Sequence, residues 1–231
     1  MMDEGIKGRA TGRFLNGLVH DPSVAAVVLR ADSPGGDPLP SDLVAGAVRR
    51  LRAAGKPVIV SQGDVAASGG YWISMDGDQI LTTPLTVTGS IGVIGAWVYV
   101  DGLDEKLGLH YDGLRRGDHA DLLRNLTVPG LGFQLPQRAL DEKELDMART
   151  FILKAYDGFV SQVAKSRDLP EERVRELGQG RVWMGEDAIE RGLCDQVGGL
   201  GEAIALAREK AGLDPDREVT LLEYPPRPLI D

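Results

Sequence analysis

Apolar residues recur along this chain at two periods, and the alternation between them sets the expected fold class. Residues 24–29, Val-Ala-Ala-Val-Val-Leu, are apolar on both faces, as in a strand covered by helices on either side. Leu43, Val44, Ala47, Val48 and Leu51 then fall at helical spacing, with Ser41 placed to cap that helix and Gly55 to end it. Lys56-Pro57 restarts the chain as a second apolar strand over residues 58–61, followed by a turn at Ser68 and a short helix through Tyr71 and Ile73. Further strands are expected at residues 79–82, 90–94, 96–100 and 109–111. Residues 127–137 break both periods and carry Gly and Pro, so they read as a loop, although Leu131, Phe133 and Leu135 make it unusually apolar. That loop either folds back on its own core or forms a subunit contact or substrate groove. Leu145, Ala148, Phe151, Ile152, Ala155, Phe159 and Val163 then mark one face of a long amphipathic helix. Short helices are expected over 171–177, 186–191 and 200–211, and a late strand at Leu221-Leu222-Glu223-Tyr224. Strands alternating with helices, without a repeat of solenoid period, predict an α/β fold.

Composition narrows the possibilities. A chain of 231 residues, 42% of them hydrophobic, can bury a full core, and one domain over residues 1–231 is expected. The formal net charge of -9 with no basic stripe argues against nucleic acid as a partner. No apolar stretch approaches the roughly 20 residues a membrane helix needs. The one cysteine, Cys194, has no partner for an internal disulfide and reads as a small buried hydrophobe.

The candidate chemistry lies at two diglycine turns, each after an apolar strand: Asp32-Ser33-Pro34-Gly35-Gly36 and Ala66-Ala67-Ser68-Gly69-Gly70-Tyr71-Trp72. A hydroxyl nucleophile needs backbone N–H donors aimed at the oxyanion formed when a carbonyl is attacked, and glycine permits that close approach. Ser68 does not sit in Gly-x-Ser-x-Gly, because Ala66 occupies the first glycine position. A histidine-based triad would have to use His20, His110 or His119; none is near Ser68 in sequence, and His119 reads as a solvated loop residue that could approach in space. The histidines show no metal-ligand spacing, and neither diglycine turn matches a phosphate-binding motif, so no metal or cofactor is expected.

Three segments carry a resemblance: Arg30-Ala31-Asp32-Ser33-Pro34-Gly35-Gly36, residues 66–74 around Ser68, and Thr88-Gly89-Ser90-Ile91-Gly92-Val93. They resemble the signature segments of the signal peptide peptidase A family, bacterial serine peptidases with a Ser-Lys dyad on the Clp protease/crotonase fold of repeated β-β-α units. Gly180-Arg181-Val182-Trp183-Met184-Gly185, with Ala188, Gly192-Leu193 and Asp195, resembles a later stretch of the same family. The resemblance implies Ser68 as nucleophile, oxyanion donors from Gly69 and the Gly35-Gly36 turn, and Ser90 as the hydroxyl that orients the lysine. A turn hydroxyl bonding its own backbone is the other reading of Ser90. The family further implies a membrane-tethered oligomer on the extracytoplasmic side of the bacterial cell membrane, cleaving remnant signal peptides.

The chain departs from the family at the base. In short members the dyad lysine follows a Gly-x-His-like segment; here that segment is Gly117-Asp118-His119-Ala120-Asp121, with Ala120 at the lysine position. None of the seven lysines, Lys7, Lys56, Lys106, Lys143, Lys154, Lys165 and Lys210, occupies it, and each reads as a solvated surface residue. Long members carry two tandem copies, lysine in the first and serine in the second, and this chain resembles the second. Met1-Met2-Asp3-Glu4 begins where that copy's first apolar strand would already be complete. The alternative is that Ala120 replaces a lysine. A different class of reading keeps the fold as a scaffold or oligomerisation domain, with Ser68 merely capping a helix. Acyl-CoA chemistry on the same fold is disfavoured by the presence of Ser68 itself at the second glycine turn.

Overall fold

The computed structural model describes residues 8–108, 112, 114, 116–122, 125–127, 134–136, 138–214 and 218–225. The elements in order are α1 (Gly8–Leu18), β1 (Val27–Ser33), α2 (Pro38–Ala53), β2 (Val58–Ala67), α3 (Gly69–Ser74), β3 (Gln79–Thr82), β4 (Val87–Gly89) and α4 (Leu103–Lys106). They continue with β5 (Asn125–Thr127), β6 (Gln134–Pro136), α5 (Glu142–Arg167), α6 (Glu171–Leu177), β7 (Val182–Met184), α7 (Gly185–Glu190), β8 (Gln196–Val197) and α8 (Leu200–Lys210). The protein is α/β, as its periodicities predict.

β2 is the hub of the sheet. It pairs in parallel with β1 along one edge; on the other, β3 lies beside residues 59–61 and β4 beside residues 65–67. β3 continues in parallel to β8, and β4 pairs antiparallel with β7. Because side chains alternate across a strand, β2 serves two cores. Val58 and Val60 join the main cluster with Val44, Val48, Tyr71, Phe159 and Val163, whereas Ile59 packs with Leu81, Ala203 and Ala207 under α8. Val27, Val28 and Leu29 are only half-buried, since β2 is the one partner of β1 among the described strands.

α5 is built on its first turn. Asp141 caps it, accepting from the Glu144 amide at 2.8 Å, while Glu144 reaches back to the Asp141 amide at 2.9 Å. Its 26 residues span about 39 Å at the standard rise. Its fully buried apolar residues all lie in the last third, from Phe159 on; before it Glu144 is the one buried residue.

Several expectations need correction. α2 begins at Pro38 with Asp37 as its cap, the carboxylate accepting from the Leu39 amide at 2.8 Å. Ser41 lies inside the helix, its hydroxyl donating to the Asp37 carbonyl at 3.0 Å; the prolines fit because first-turn positions need no N–H. Residues 90–94 and 96–100 form no strand, because φ turns positive at Gly89 (79°) and Ser90 (49°) and the chain leaves the sheet. The late strand at Leu221-Leu222 is also absent. The expected loop of 127–137 contains β6 and the last residue of β5, which pair antiparallel; Leu131 and Phe133, like the strand expected at 109–111, lie outside the described residues. α1, for which the apolar pattern predicts nothing, packs on α2 through Gly8 and Gly12: a methyl on Gly12 would stand 3.1 Å from the Leu43 carbonyl oxygen.

Candidate active site

Ser68 stands where β2 ends and α3 begins, with φ 52° and ψ -117°. Positive φ is unfavourable for a residue with a Cβ, and this ψ lies outside even the left-handed helical well. Two backbone bonds hold it there: the Ser68 amide donates to the Gly89 carbonyl at 2.9 Å, and its carbonyl accepts from the Trp72 amide at 2.8 Å. Ser68 occupies the N-cap position of α3, yet its hydroxyl makes no capping bond. The side chain best suited to cap that helix is therefore presented elsewhere.

The two diglycine turns meet at this point. A methyl on Gly35, whose φ is 119°, would stand 2.6 Å from the Ser68 Cβ and 3.0 Å from its Oγ. One on Gly69 would fall 2.7 Å from the Ser41 Oγ and 3.1 Å from the Gly36 amide nitrogen, and one on Gly70 2.3 Å from the Ser33 carbonyl oxygen. Glycine is required here because backbone packs directly on backbone. The result is a half-buried Ser68 whose side chain lies against Gly35, with Gly69 packed on the Gly36 amide beside it. Ser90 follows Gly89, whose carbonyl accepts from the Ser68 amide, and its own amide donates to the Arg181 carbonyl at 2.8 Å.

The turn that carries Ala120 is anchored by a separate network. The His119 Nδ1 lies 3.0 Å from Glu144 Oε1, and Arg138 binds both Glu144 oxygens at 2.6 and 2.7 Å while its other edge takes Asp121 at 3.0 and 3.2 Å. The Glu144 side chain is fully covered. The Arg138 guanidinium and then the Asp141 amide hold its carboxyl well below the usual range. With Asp118 and the first turn of α5, these residues line a cavity of about 680 Å³. Ala120 itself is exposed. His119, the one histidine considered as a base, is thus committed to Glu144; His20 is exposed, and His110 lies outside the described residues. His119, Asp141 and Glu144 place ligand atoms within 4.8 Å of one another, a cluster that sequence spacing did not reveal. The fit to a cation is poor, because Arg138 already occupies both Glu144 oxygens.

Among the described lysines only Lys56 is partly buried. Lys56 donates to the carbonyls of Asp21 and Val24, a structural role its sequence context did not predict. It precedes β2 whereas Ser68 follows it, so ten strand residues, about 33 Å, separate the two. Lys106, Lys143, Lys154, Lys165 and Lys210 are exposed, and Lys7 lies outside the described residues. A lysine acts as a base when desolvation disfavours its charged form, which exposure does not supply. Cys194 is buried, its thiol pushed up to about 12 by desolvation, as suits a packing residue.

Residues 50–214 match Peptidase family S49. The chain belongs to that family. Its α/β architecture is the Clp protease/crotonase-like fold of S49 peptidases, and the matched region contains Ser68, Ser90 and Ala120. Over 198 residues the chain is 42% identical to "Serine protease SPPA, chloroplastic" of Arabidopsis thaliana, covering 86% of this chain and 28% of that protein. It is 39% identical to "Protease 4" of Salmonella typhi over 90% of this chain and 32% of the relative, and 37% identical to "Protease 4" of Haemophilus influenzae with the same coverage. The chain thus spans about a third of the length of these relatives. Among its described residues no helix is long and apolar enough to cross a membrane.

Proposed function

We propose that this chain is the serine-bearing domain of a Ser-Lys endopeptidase, with Ser68 as nucleophile and the lysine supplied by a homologous domain. The observation that carries this reading is the strained Ser68, whose hydroxyl makes no capping bond, packed against Gly35. Strain of this kind costs about 1–3 kcal/mol and concentrates at functional positions. In the proposed cycle the lysine amine removes the Ser68 proton as Oγ attacks the scissile carbonyl, and the amides of Gly69 and of the Gly35-Gly36 turn receive the oxyanion. Collapse expels the amine, which takes the proton, and water then hydrolyses the acyl-enzyme. Ser90 orients the lysine, whose place in single-copy members corresponds to Ala120.

The substrates in this reading are remnant signal peptides and other membrane-associated peptides, cut on the extracytoplasmic side of a bacterial membrane to which the longer protein is tethered. Assembly with the lysine-bearing domain and with further copies accords with exposed apolar residues such as Ile94, Val98 and Phe151. A scaffold without activity is the second reading, favoured by the exposure of the described lysines other than Lys56. The uncapped hydroxyl weighs against it.

The test is to mix or fuse the chain with a lysine-bearing amino-terminal half and measure hydrolysis of a fluorogenic peptide ester, alongside Ser68→Ala. Activity should require both parts and vanish with Ser68→Ala. Substantial Ser68-dependent hydrolysis by this chain alone would sink the split-site reading, and no phosphonate labelling of Ser68 beside the other half would favour the scaffold.

A further inference from the structure

The motif Gly180-Arg181-Val182-Trp183-Met184-Gly185 is left without a task by the chemistry at Ser68, yet its residues grip the peptide that holds Ser68. β7 pairs antiparallel with β4, placing Trp183 opposite Thr88 and Val182 opposite Gly89. The indole edge packs on Gly89 so closely that a methyl there would stand 2.9 Å from Trp183 Cδ1. Two contacts fix the indole itself. Its Nε1 donates to the Leu177 carbonyl at 3.0 Å, and the Arg191 guanidinium lies 4.1 Å over the ring, within cation–π range. The lead-in to β7 completes the clasp: the Ser90 amide donates to the Arg181 carbonyl at 2.8 Å, and the Gly180 amide to the Ile91 carbonyl at 3.0 Å.

This clasp acts where the backbone is least favourable. Gly89 and Ser90 both have positive φ, and the Gly89 carbonyl is the acceptor that holds the Ser68 amide. A conformation at φ 52° on a serine persists only where its surroundings over-determine it. We propose that Trp183 is a positioning residue for Ser68, acting through the Gly89 peptide, with Arg191 and the Leu177 carbonyl holding the indole in place. The proposal rests on Ser68 being the nucleophile for its consequence in catalysis. The mechanical link from Trp183 to Ser68 stands on the contacts alone.

The experiment has two arms. In the first, amide hydrogen exchange is followed in the chain and in Trp183→Ala and Trp183→Phe. Loss of the indole should speed exchange of the Ser68 and Ser90 amides by about tenfold while the amides of α8 are unchanged, and Trp183→Phe, which keeps a ring but loses the N–H, should fall between. Unchanged exchange at Ser68 and Ser90, or an equal rise throughout α8, would overturn the proposal, the second outcome marking general destabilisation. In the second arm, a peptide phosphonate labels Ser68 in the presence of the lysine-bearing half. The maximal labelling rate of Trp183→Ala should drop about tenfold with the half-saturating concentration within about twofold, because geometry and not binding is disturbed. An equal rate in wild type and variant would defeat the positioning role while leaving Ser68 as nucleophile. Silence of the wild type toward the reagent counts against the nucleophile and leaves exchange to decide the link from Trp183.

Discussion

At the scale of single residues, the distinctive fact is a serine with positive φ at a helix N-terminus whose hydroxyl caps nothing. Stability and function pull apart at such a position, and the two substitutions that delete the hydroxyl separate them. Ser68→Ala keeps a Cβ and therefore keeps the strain, whereas Ser68→Gly removes it. Relief of about 1–3 kcal/mol is partly offset by the greater freedom glycine has in the unfolded chain, about 0.5–1 kcal/mol. Ser68→Gly should then melt about 2–4 °C above Ser68→Ala, the shift that about 1 kcal/mol produces in a domain of this size. Both variants should be unreactive. Differential scanning calorimetry on the pair decides it, and a glycine variant that melts at or below the alanine variant would show that φ stores no strain here.

At the scale of elements, α5 depends on the ion network at its first turn. Glu144 is fully covered, and its carboxylate is held by Arg138, the Asp141 amide and His119. Its pKa is lowered in the folded state, so the sign follows directly: the contribution is complete above the unfolded value near 4.5 and is lost as pH falls toward the folded one. Thermal melts of the wild type should therefore weaken steadily below about pH 4.5. Glu144→Gln should melt lower at pH 7 yet lose less stability on acidification; parallel pH profiles for the two proteins would contradict the assignment.

The same scale shows what the sequence made legible. β2, β3, the C-terminal part of α5 and the helices α6 and α8 follow their periodicities because each buries apolar residues against a neighbour, whereas Leu145 and Phe151 on the expected face of α5 are exposed. The segment around Ile94, Val98 and Val100 has the alternation of a strand but no partner strand among the described residues, so its apolar side chains stand in the open. The approach of Gly35 to Ser68 could be expected from two local motifs. Trp183 against Gly89, and Arg138 bridging Asp121 to Glu144, could not: each contact joins segments that only the folded sheet or turn brings together.

At the scale of the whole molecule, the exposed apolar surface offers a place where the proposed lysine-bearing domain would dock. The segment that follows Gly89 runs along α5, where a methyl on Gly95 would stand 3.0 Å from Ile152 Cδ1, and Trp97 Nε1 donates to the Arg138 carbonyl at 2.9 Å. It therefore displays Ile94, 99% exposed, beside the helix that displays Phe151, 69% exposed. If a lysine-bearing domain or a further copy covers this surface, hydrolysis should rise with the partner's concentration and saturate. Fully burying one large apolar side chain contributes about 1.5–3 kcal/mol. Phe151→Glu should accordingly shift the half-saturating partner concentration upward by about 10–100-fold while leaving the plateau rate within about twofold, because the residue helps assemble the site without entering it. Analytical ultracentrifugation of the same mixtures should show the matching loss of complex. A plateau that collapses while association is intact would place Phe151 in the reaction, and an unchanged curve would move the interface to another face.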